Sequence, residues 1–340
     1  MVFQLDKEYL RQRPSKIWAR LVAYLLFEGR PLTTRGQFIN PILQHFHRGL
    51  LLLPQLRTVE KPAFIIGTGR SGTTILGKLL SAHPDVGFLN EPKILWNAAF
   101  EEEDLIGSYS RRPVKVRMTA KDVTHTARHK IHSLQGAYLR FAGARRLVDK
   151  YPELVFRCDC VRALYPDARF IFISRGGQAT TSSIKAWSER LGEQRDGERH
   201  DWWGADDRKW HAIVDQLVAE TPQFKDHVDH LRHTSDHQLR AAVEWLLSMQ
   251  EGLELQRTLS SDQFLHVRYE ALCETPDQVL GNILRFADLS ADPRCFQYAR
   301  SILSPAQPYP KPEWPHWFAP LFEETQAQLD RLQSPAECST

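Results

Sequence analysis

The sequence predicts an α/β fold: three layers, with a central, mostly parallel sheet and helices on both faces. Three observations predict it. The apolar run Pro62-Ala63-Phe64-Ile65-Ile66 leads into a glycine-rich loop and then a helical stripe. A second strand, turn and helix follow at 168–187, and a third apolar run stands at Phe264-Leu265-His266-Val267. Strand, turn and helix in repetition is the building unit of a parallel sheet.

The first 60 residues differ in character. Ile17, Trp18, Leu21, Tyr24 and Leu25 recur at helical spacing, flanked by Arg11, Arg13, Lys16 and Arg20. We read 1–60 as a helical N-terminal extension packed on the core. A membrane-surface helix is the rival reading, so peripheral membrane contact stays open. Residues 61–340 form the main domain. It opens with the strand at 62–66 and the loop Gly67-Thr68-Gly69-Arg70-Ser71-Gly72-Thr73-Thr74. Ile75, Leu76, Leu79 and Leu80 make the next helix, which ends near His83-Pro84. Phe170–Ile173 is a strand, Arg175-Gly176-Gly177 a turn, and Ala179–Trp187 a helix. Residues 189–211 are polar, contain three Trp, and suggest a surface insertion. Further helices are expected from Leu239 to Leu253 and from Val279 to Ala287, and residues 304–320 read as an irregular loop.

Composition narrows the function. The chain has 340 residues, 44 Lys+Arg against 41 Asp+Glu, and a net charge of +3. So small an excess is a poor basis for a nucleic-acid partner, which needs many clustered phosphate contacts. No apolar run approaches the ~20 residues of a membrane span, and the N-terminus shows no leader-like segment. Five Cys and no leader predict free thiols in a reducing, cytoplasmic setting. Cys158-Asp159-Cys160 has no zinc-like spacing and reads as core packing; no metal is predicted.

The loop carries the chemistry. Gly67-x-x-x-x-Gly72-Thr73-Thr74 has the frame of a phosphate-binding P-loop. Its glycines let backbone N–H groups converge on an anion, and the helix N-terminus adds positive dipole. An ATP-type loop has Lys directly after the last Gly; here that place holds Thr73, and the cation is Arg70. Arg175, at the end of the 170–173 strand, stands where α/β sheets place ligand contacts. Ser183 lies eight residues on, and an Arg with a hydroxyl can grip a second phosphate.

Together these residues resemble the sulfotransferases that use 3′-phosphoadenylyl sulfate (PAPS). The resemblance covers about 61–320 and is strongest at 63–92. Gly69-Arg70-Ser71-Gly72-Thr73-Thr74 is similar to the family's 5′-phosphosulfate loop. Ala168 to Ser174, with Arg175 and Ser183, resembles its 3′-phosphate motif, and Val267-Arg268-Tyr269-Glu270-Ala271-Leu272 resembles a later signature. The family often has an acidic residue after the 3′-phosphate Arg; here it is Gly176. Ser81-Ala82-His83-Pro84-Asp85-Val86 and Asn90-Glu91-Pro92 look like the branch of protein-tyrosine and many bacterial sulfotransferases. Asp149-Lys150-Tyr151-Pro152 resembles that branch's Lys-containing motif.

The resemblance implies direct sulfuryl transfer to an acceptor hydroxyl, with Glu91 as base and Lys150 and Arg70 offsetting charge. Gly69, Arg70, Ser71, Gly72, Thr73, Thr74, Arg175 and Ser183 would hold PAPS, with Tyr269 and Lys311 as further nucleotide contacts. Partial burial is expected to raise the Glu91 pKa. Other readings of these residues are a Gly-rich turn with no ligand, a surface Arg175 with a helix-face Ser183, a helix cap for Glu91, a solvated Lys150 and a core Tyr269. Two other functions remain: a P-loop kinase or nucleotidase, and a PAP-binding module without turnover. The acceptor is expected to be a small molecule or a glycan, with a carbohydrate favoured and lipid-linked glycans and peptide Tyr left open. Trp187, Trp202, Trp203 and Trp210 could stack on sugar rings or serve as packing. Arg111, Arg112, Lys115, Arg117 and Lys121 form a basic segment, read first as a solvated loop.

Overall fold

The computed structural model describes residues 5–34, 36–110, 112–195, 198–305, 309–310 and 312–332. Five strands form the main sheet: β1 (Ala63–Gly67), β2 (Val86–Asn90), β3 (Arg146–Lys150), β4 (Arg169–Ser174) and, late in the chain, β8 (Phe264–Arg268). Their order is β2-β3-β1-β4-β8, and every neighbouring pair is parallel. Three short strands, β5 (Glu193–Arg195), β6 (Glu198–Asp201) and β7 (Gly204–Ala205), form a separate antiparallel sheet.

The main sheet lies between two apolar cores, as helices on both faces require. Phe64, Ile66, Phe170 and Phe172 point into one core; Ala63, Ile65, Ile171 and Ile173 point into the other. The two-residue period of a strand does this sorting. Each buried Phe or Ile of β1 contributes about 1.5–3 kcal/mol.

No apolar run in the sequence marks β2 or β3. Val86-Gly87-Phe88-Leu89-Asn90 is broken by Gly87, and Arg146-Leu147-Val148-Asp149-Lys150 has only two apolar residues. Yet Asp149 and Lys150 are almost wholly buried. The Asp149 carboxyl accepts from Trp96 Nε1 at 2.9 Å and Gln135 Nε2 at 3.3 Å. Burial pushes its pKa up to about 7, against the pull of those bonds.

The N-terminal helix packs, but not by the stripe the sequence suggested. Ala19, Arg20, Val22, Ala23 and Phe27 are buried, whereas Trp18 and Leu25 face outward. The reason is the edge of β2. Its outward-facing backbone groups need partners that no neighbouring strand supplies. Lys16 Nζ donates to Val86 O at 2.6 Å, Arg20 Nη1 to Phe88 O at 2.6 Å, and Asn90 N donates to Glu28 Oε1 at 2.8 Å. Four helical residues rise about 6 Å, close to two strand residues, so Lys16 and Arg20 meet alternate carbonyls. Arg20 is also paired with Glu28 at 2.8 Å.

The segment around 200 is not the polar surface insertion its composition suggested. Trp203 and Trp210 are fully buried in the larger core. Cys158, Cys160, Cys273 and Cys295 are free and buried; Cys338 and Lys311 lie outside the described residues. Of the basic segment, Arg112 pairs with Glu101, Lys115 with Glu102 and Asp122, and Arg117 with Glu251; Arg111 lies outside the described residues. No described helix is long and apolar enough to cross a membrane.

Candidate active site

The chain leaves β1 toward β2 and β3 but leaves β4 toward β8, so the order reverses between β1 and β4. A crevice opens at such a reversal, outside the carboxyl ends of the strands. The glycine loop lies there. Gly67 has φ +140°, and a Cβ on it would overlap Ile173 O of β4. Gly72 has φ +96°, and a Cβ there would collide with the Tyr269 ring. Only glycine fits both positions. Ser71 is buried; its hydroxyl donates to Thr68 O at 2.6 Å and Ile173 O at 3.3 Å, which braces the loop against β4. The helix Thr73–Ser81 then starts, with Thr73 buried and Thr74 exposed at its open N-terminal turn.

Arg70 holds a left-handed backbone, φ +69°. Its Nε donates to Ser183 Oγ at 3.1 Å, on the helix Gly177–Leu191, and Arg175 Nη1 donates to Arg70 O at 3.2 Å. The 5′-loop and the expected 3′ residues therefore meet. The Arg175 guanidinium lies 4.6 Å from the Tyr269 ring centroid and 5.8 Å from that of Tyr309. Arg175 Nε and Thr68 Oγ1 are buried without hydrogen-bond partners. Burial lowers the Arg70 pKa, and the charges of Arg175 and Arg190 lower it further. Clustered guanidiniums of this kind favour a bound anion. Gly176, where the family often has an acid, donates its N–H to Glu270 Oε1 at 2.9 Å, so a carboxylate reaches this turn from the later 267–272 motif.

Across the crevice stand Glu91 and Lys150, at the carboxyl ends of β2 and β3. Asn90 and Lys150 are register partners, and Glu91 N donates to Lys150 O at 2.6 Å. Lys150 Nζ donates to Glu91 Oε1. Glu91 has φ +49°, so it and Arg70 are both strained non-glycine residues, as is common at functional sites. Glu91 is not a helix cap: the helix Lys93–Ala99 is capped at Pro92, with no side-chain bond. The expected rise in its pKa is also reversed. Burial pushes it up, but Lys150 and Lys93 outweigh burial and hold the carboxyl below its ordinary range.

A cleft of about 100 Å³ joins the two sides, lined by Gly69, Glu91, Lys93, Glu153, Trp202 and Lys209 among others. Trp202 lies over Gly69, where a Cβ would overlap its ring. Trp187 meets Trp202 edge to face at 5.5 Å and lines the cleft too, while Trp203 and Trp210 are packing. Pro31 and Thr33 reach the cleft from the N-terminal segment. Lys93, Glu153 and Lys209 escaped the sequence reading. Only Glu91-Pro92-Lys93 adjacency could have pointed to one of them. A larger cleft of about 570 Å³ lies at the amino ends of the strands, but its Lys61 and Arg169 already pair with Asp288. Among the described residues, no three His, Cys, Asp or Glu come together as a metal site.

Comparison with known proteins gives the family. The profile described as the sulfotransferase family matches residues 62–234. The nodulation protein NoeE of Sinorhizobium fredii is 27% identical over 242 residues, 69% of this chain and 51% of NoeE. The chain thus spans about half the length of that relative. A Caenorhabditis briggsae protein, provisionally named a protein-tyrosine sulfotransferase, is 23% identical over 253 residues, 73% of this chain and 70% of that protein. Among solved structures, the sulfotransferase domain of the curacin biosynthetic pathway is 16% identical with TM-score 0.48, covering 80% of this chain and 98% of its own. The sulfotransferase domain of the Synechococcus PCC 7002 olefin synthase is 17% identical with TM-score 0.46, covering 82% and 97%. The profile spans just over half of the chain and includes the glycine loop, Glu91, Lys150 and Arg175: the chain belongs to the sulfotransferase family.

Proposed function

We propose that the protein transfers a sulfuryl group from PAPS to an acceptor hydroxyl, with a carbohydrate as the favoured acceptor, and releases PAP. The observation that carries this reading is the meeting of Arg70, Arg175 and Ser183 at the glycine loop, whose Gly69 lines one cleft with Glu91, the partner of Lys150. In this reading the N-terminal turn at Thr73 and Thr74 receives the 5′-phosphosulfate, shaped by Gly69, Ser71 and Gly72. Arg175, stacked on Tyr269, and Ser183 receive the 3′-phosphate. The acceptor oxygen forms a bond to sulfur as the bond from sulfur to the bridging phosphate oxygen breaks. The acceptor proton passes to Glu91, and PAP leaves with the bonding pair. Arg70 and Lys150 offset the charge that develops on the transferring group.

The Glu91–Lys150 pair fits this chemistry. Paired, Glu91 is ionised and ready to accept a proton. The sulfuryl oxygens offer Lys150 another anionic partner, and each step of Lys150 away from Glu91 makes that carboxylate more basic. The Trp187–Trp202 pair supplies apolar faces for a sugar ring. We read the protein as a soluble cytoplasmic enzyme of small-molecule or glycan acceptors.

The test is transfer of ³⁵S from labelled PAPS, with the parent and Glu91→Gln compared on an acceptor that turns over. Glu91→Gln is expected to lose about 10²–10⁴ in kcat, the usual share of a general base, with PAP binding retained. Parental activity in that variant would remove Glu91 as the base. PAP binding without any transfer by the parent would leave a binding module.

A further inference from the structure

Glu91 does not face Lys150 alone. Lys93 Nζ lies 3.7 Å from Glu91 Oε2 and 3.4 Å from Glu153 Oε1. Glu153 Oε1 lies 3.7 Å from Lys209 Nζ, and Lys209 lies 2.6 Å from Glu244 Oε1. Glu244 Oε2 accepts from Trp202 Nε1 at 2.7 Å, and Lys209 stands 4.7 Å from the Trp202 ring centroid. A chain of alternating charge therefore runs from Glu91 to the indole that covers Gly69. Its inner members are nearly all shielded: the side chains of Lys93, Glu153, Lys209 and Glu244 are 9%, 13%, 3% and 5% exposed. Burying four ions is costly, and apolar residues of similar volume often serve stability as well or better. Such a chain calls for a reason other than stability.

We propose that Glu153 is a positioning residue for the transfer: it shares Lys93 with Glu91 and so sets the basicity of Glu91, while Lys209 and Glu244 tie the same chain to Trp202. This inference rests on the reading of Glu91 as the base. The electrostatics follow from the contacts. Lys93 favours the ionised form of Glu91, and the Glu153 carboxylate opposes that pull. The groups that act on Glu91 come from every side: Lys150 on β3, Lys93 on the following helix, Glu153 on the turn Pro152–Arg157, Arg70 on the glycine loop and the Tyr109 hydroxyl. Among the described residues, Lys93 alone is ion-paired with both carboxylates. Without Glu153, its full charge would fall on Glu91, and Glu91 would be a weaker base. Without Lys93, Glu91 would be a stronger one.

The experiment is the pH profile of kcat for sulfuryl transfer, in the full-length parent, Glu153→Gln and Lys93→Met, with PAP affinity measured alongside. Glu153→Gln keeps the shape of the side chain, and Lys93→Met leaves Glu153 paired with Lys209. The expected result is two opposite movements. The acid limb shifts to lower pH in Glu153→Gln, with kcat at neutral pH down about tenfold, and to higher pH in Lys93→Met. PAP affinity remains that of the parent, which also shows that the variants fold. A fall in kcat with no movement of the limb, or movement of both limbs in one direction, would overturn the proposal and leave the chain a structural brace. If one variant fails to bind PAP, Lys209→Met replaces it: freeing Glu153 to take more of Lys93 must move the limb upward, and a static limb counts against the proposal. Parental activity in Glu91→Gln is a separate failure, that of the base itself, and shows before any limb is compared.

Discussion

The two sides of the crevice are built by different means. The glycine-loop side is made of backbone and of a few side chains set by it. Gly67, Gly72 and Ser71 fix a loop at the switch point of the sheet, and Arg175 follows directly from β4. The Glu91 side is made of side chains from widely separated segments: Glu91 and Lys93, Lys150 and Glu153, then Trp202, Lys209 and Glu244. One side is set by backbone geometry. The other is held by charge, and its shape depends on every member. Changes on the first side should act on donor binding; changes on the second should act on turnover and acceptor.

The largest expected effect is that of Glu91→Gln on kcat, set out above, with PAP affinity kept. Second is Arg175→Ala. It removes the cation stacked on Tyr269, and PAP affinity should fall about 10–100-fold by titration calorimetry, as loss of a charge-assisted contact implies. Acceptor KM at saturating PAPS should stay nearly constant; an equal rise there would merge the two sides. Third is Gly72→Ala. At φ +96°, against the Tyr269 ring, it should cost about 1–3 kcal/mol in chemical denaturation and weaken PAP binding as well.

The smallest effect concerns Asp149, which sits beneath Lys150 on β3. Its folded pKa is about 7, above the ordinary carboxyl value of 3.8. The folded state thus binds more protons than the unfolded one between these values, so this group's stabilising contribution is full below pH 4 and is lost as pH rises through about 7. Asp149→Asn cannot titrate. Its melting temperature relative to the parent should rise between pH 5 and pH 8 by scanning calorimetry. A flat difference would mean that Asp149 is ionised throughout.

The same contrast explains what was legible in the sequence. The shape of the glycine loop was legible because glycine is required where φ is positive; Arg175 and Ser183 were singled out through the family resemblance, and the structure brings both to Arg70. Strands β1, β4 and β8 were legible as apolar runs. β2 and β3 were not, since Gly87, Asp149 and Lys150 break the pattern, and burial of Asp149 is made tolerable by Trp96 and Gln135 from distant segments. Lys93, Lys209 and Glu244 look in sequence like solvated charges, and only the tertiary fold pairs them. The N-terminal helix was turned the wrong way for the same reason. Lys16 and Arg20 only flank the apolar stripe in the sequence, but the open edge of β2 offers them carbonyls.

The central claim is that the crevice between β1 and β4 receives a nucleotide bearing a separate 3′-phosphate. It is tested most directly by melting the protein with PAP and, at equal concentration, with ATP. PAP is expected to raise the melting temperature clearly more than ATP does, and Arg175→Ala to remove most of the difference. Stabilisation by ATP equal to or greater than that by PAP would contradict it and favour a kinase or nucleotidase.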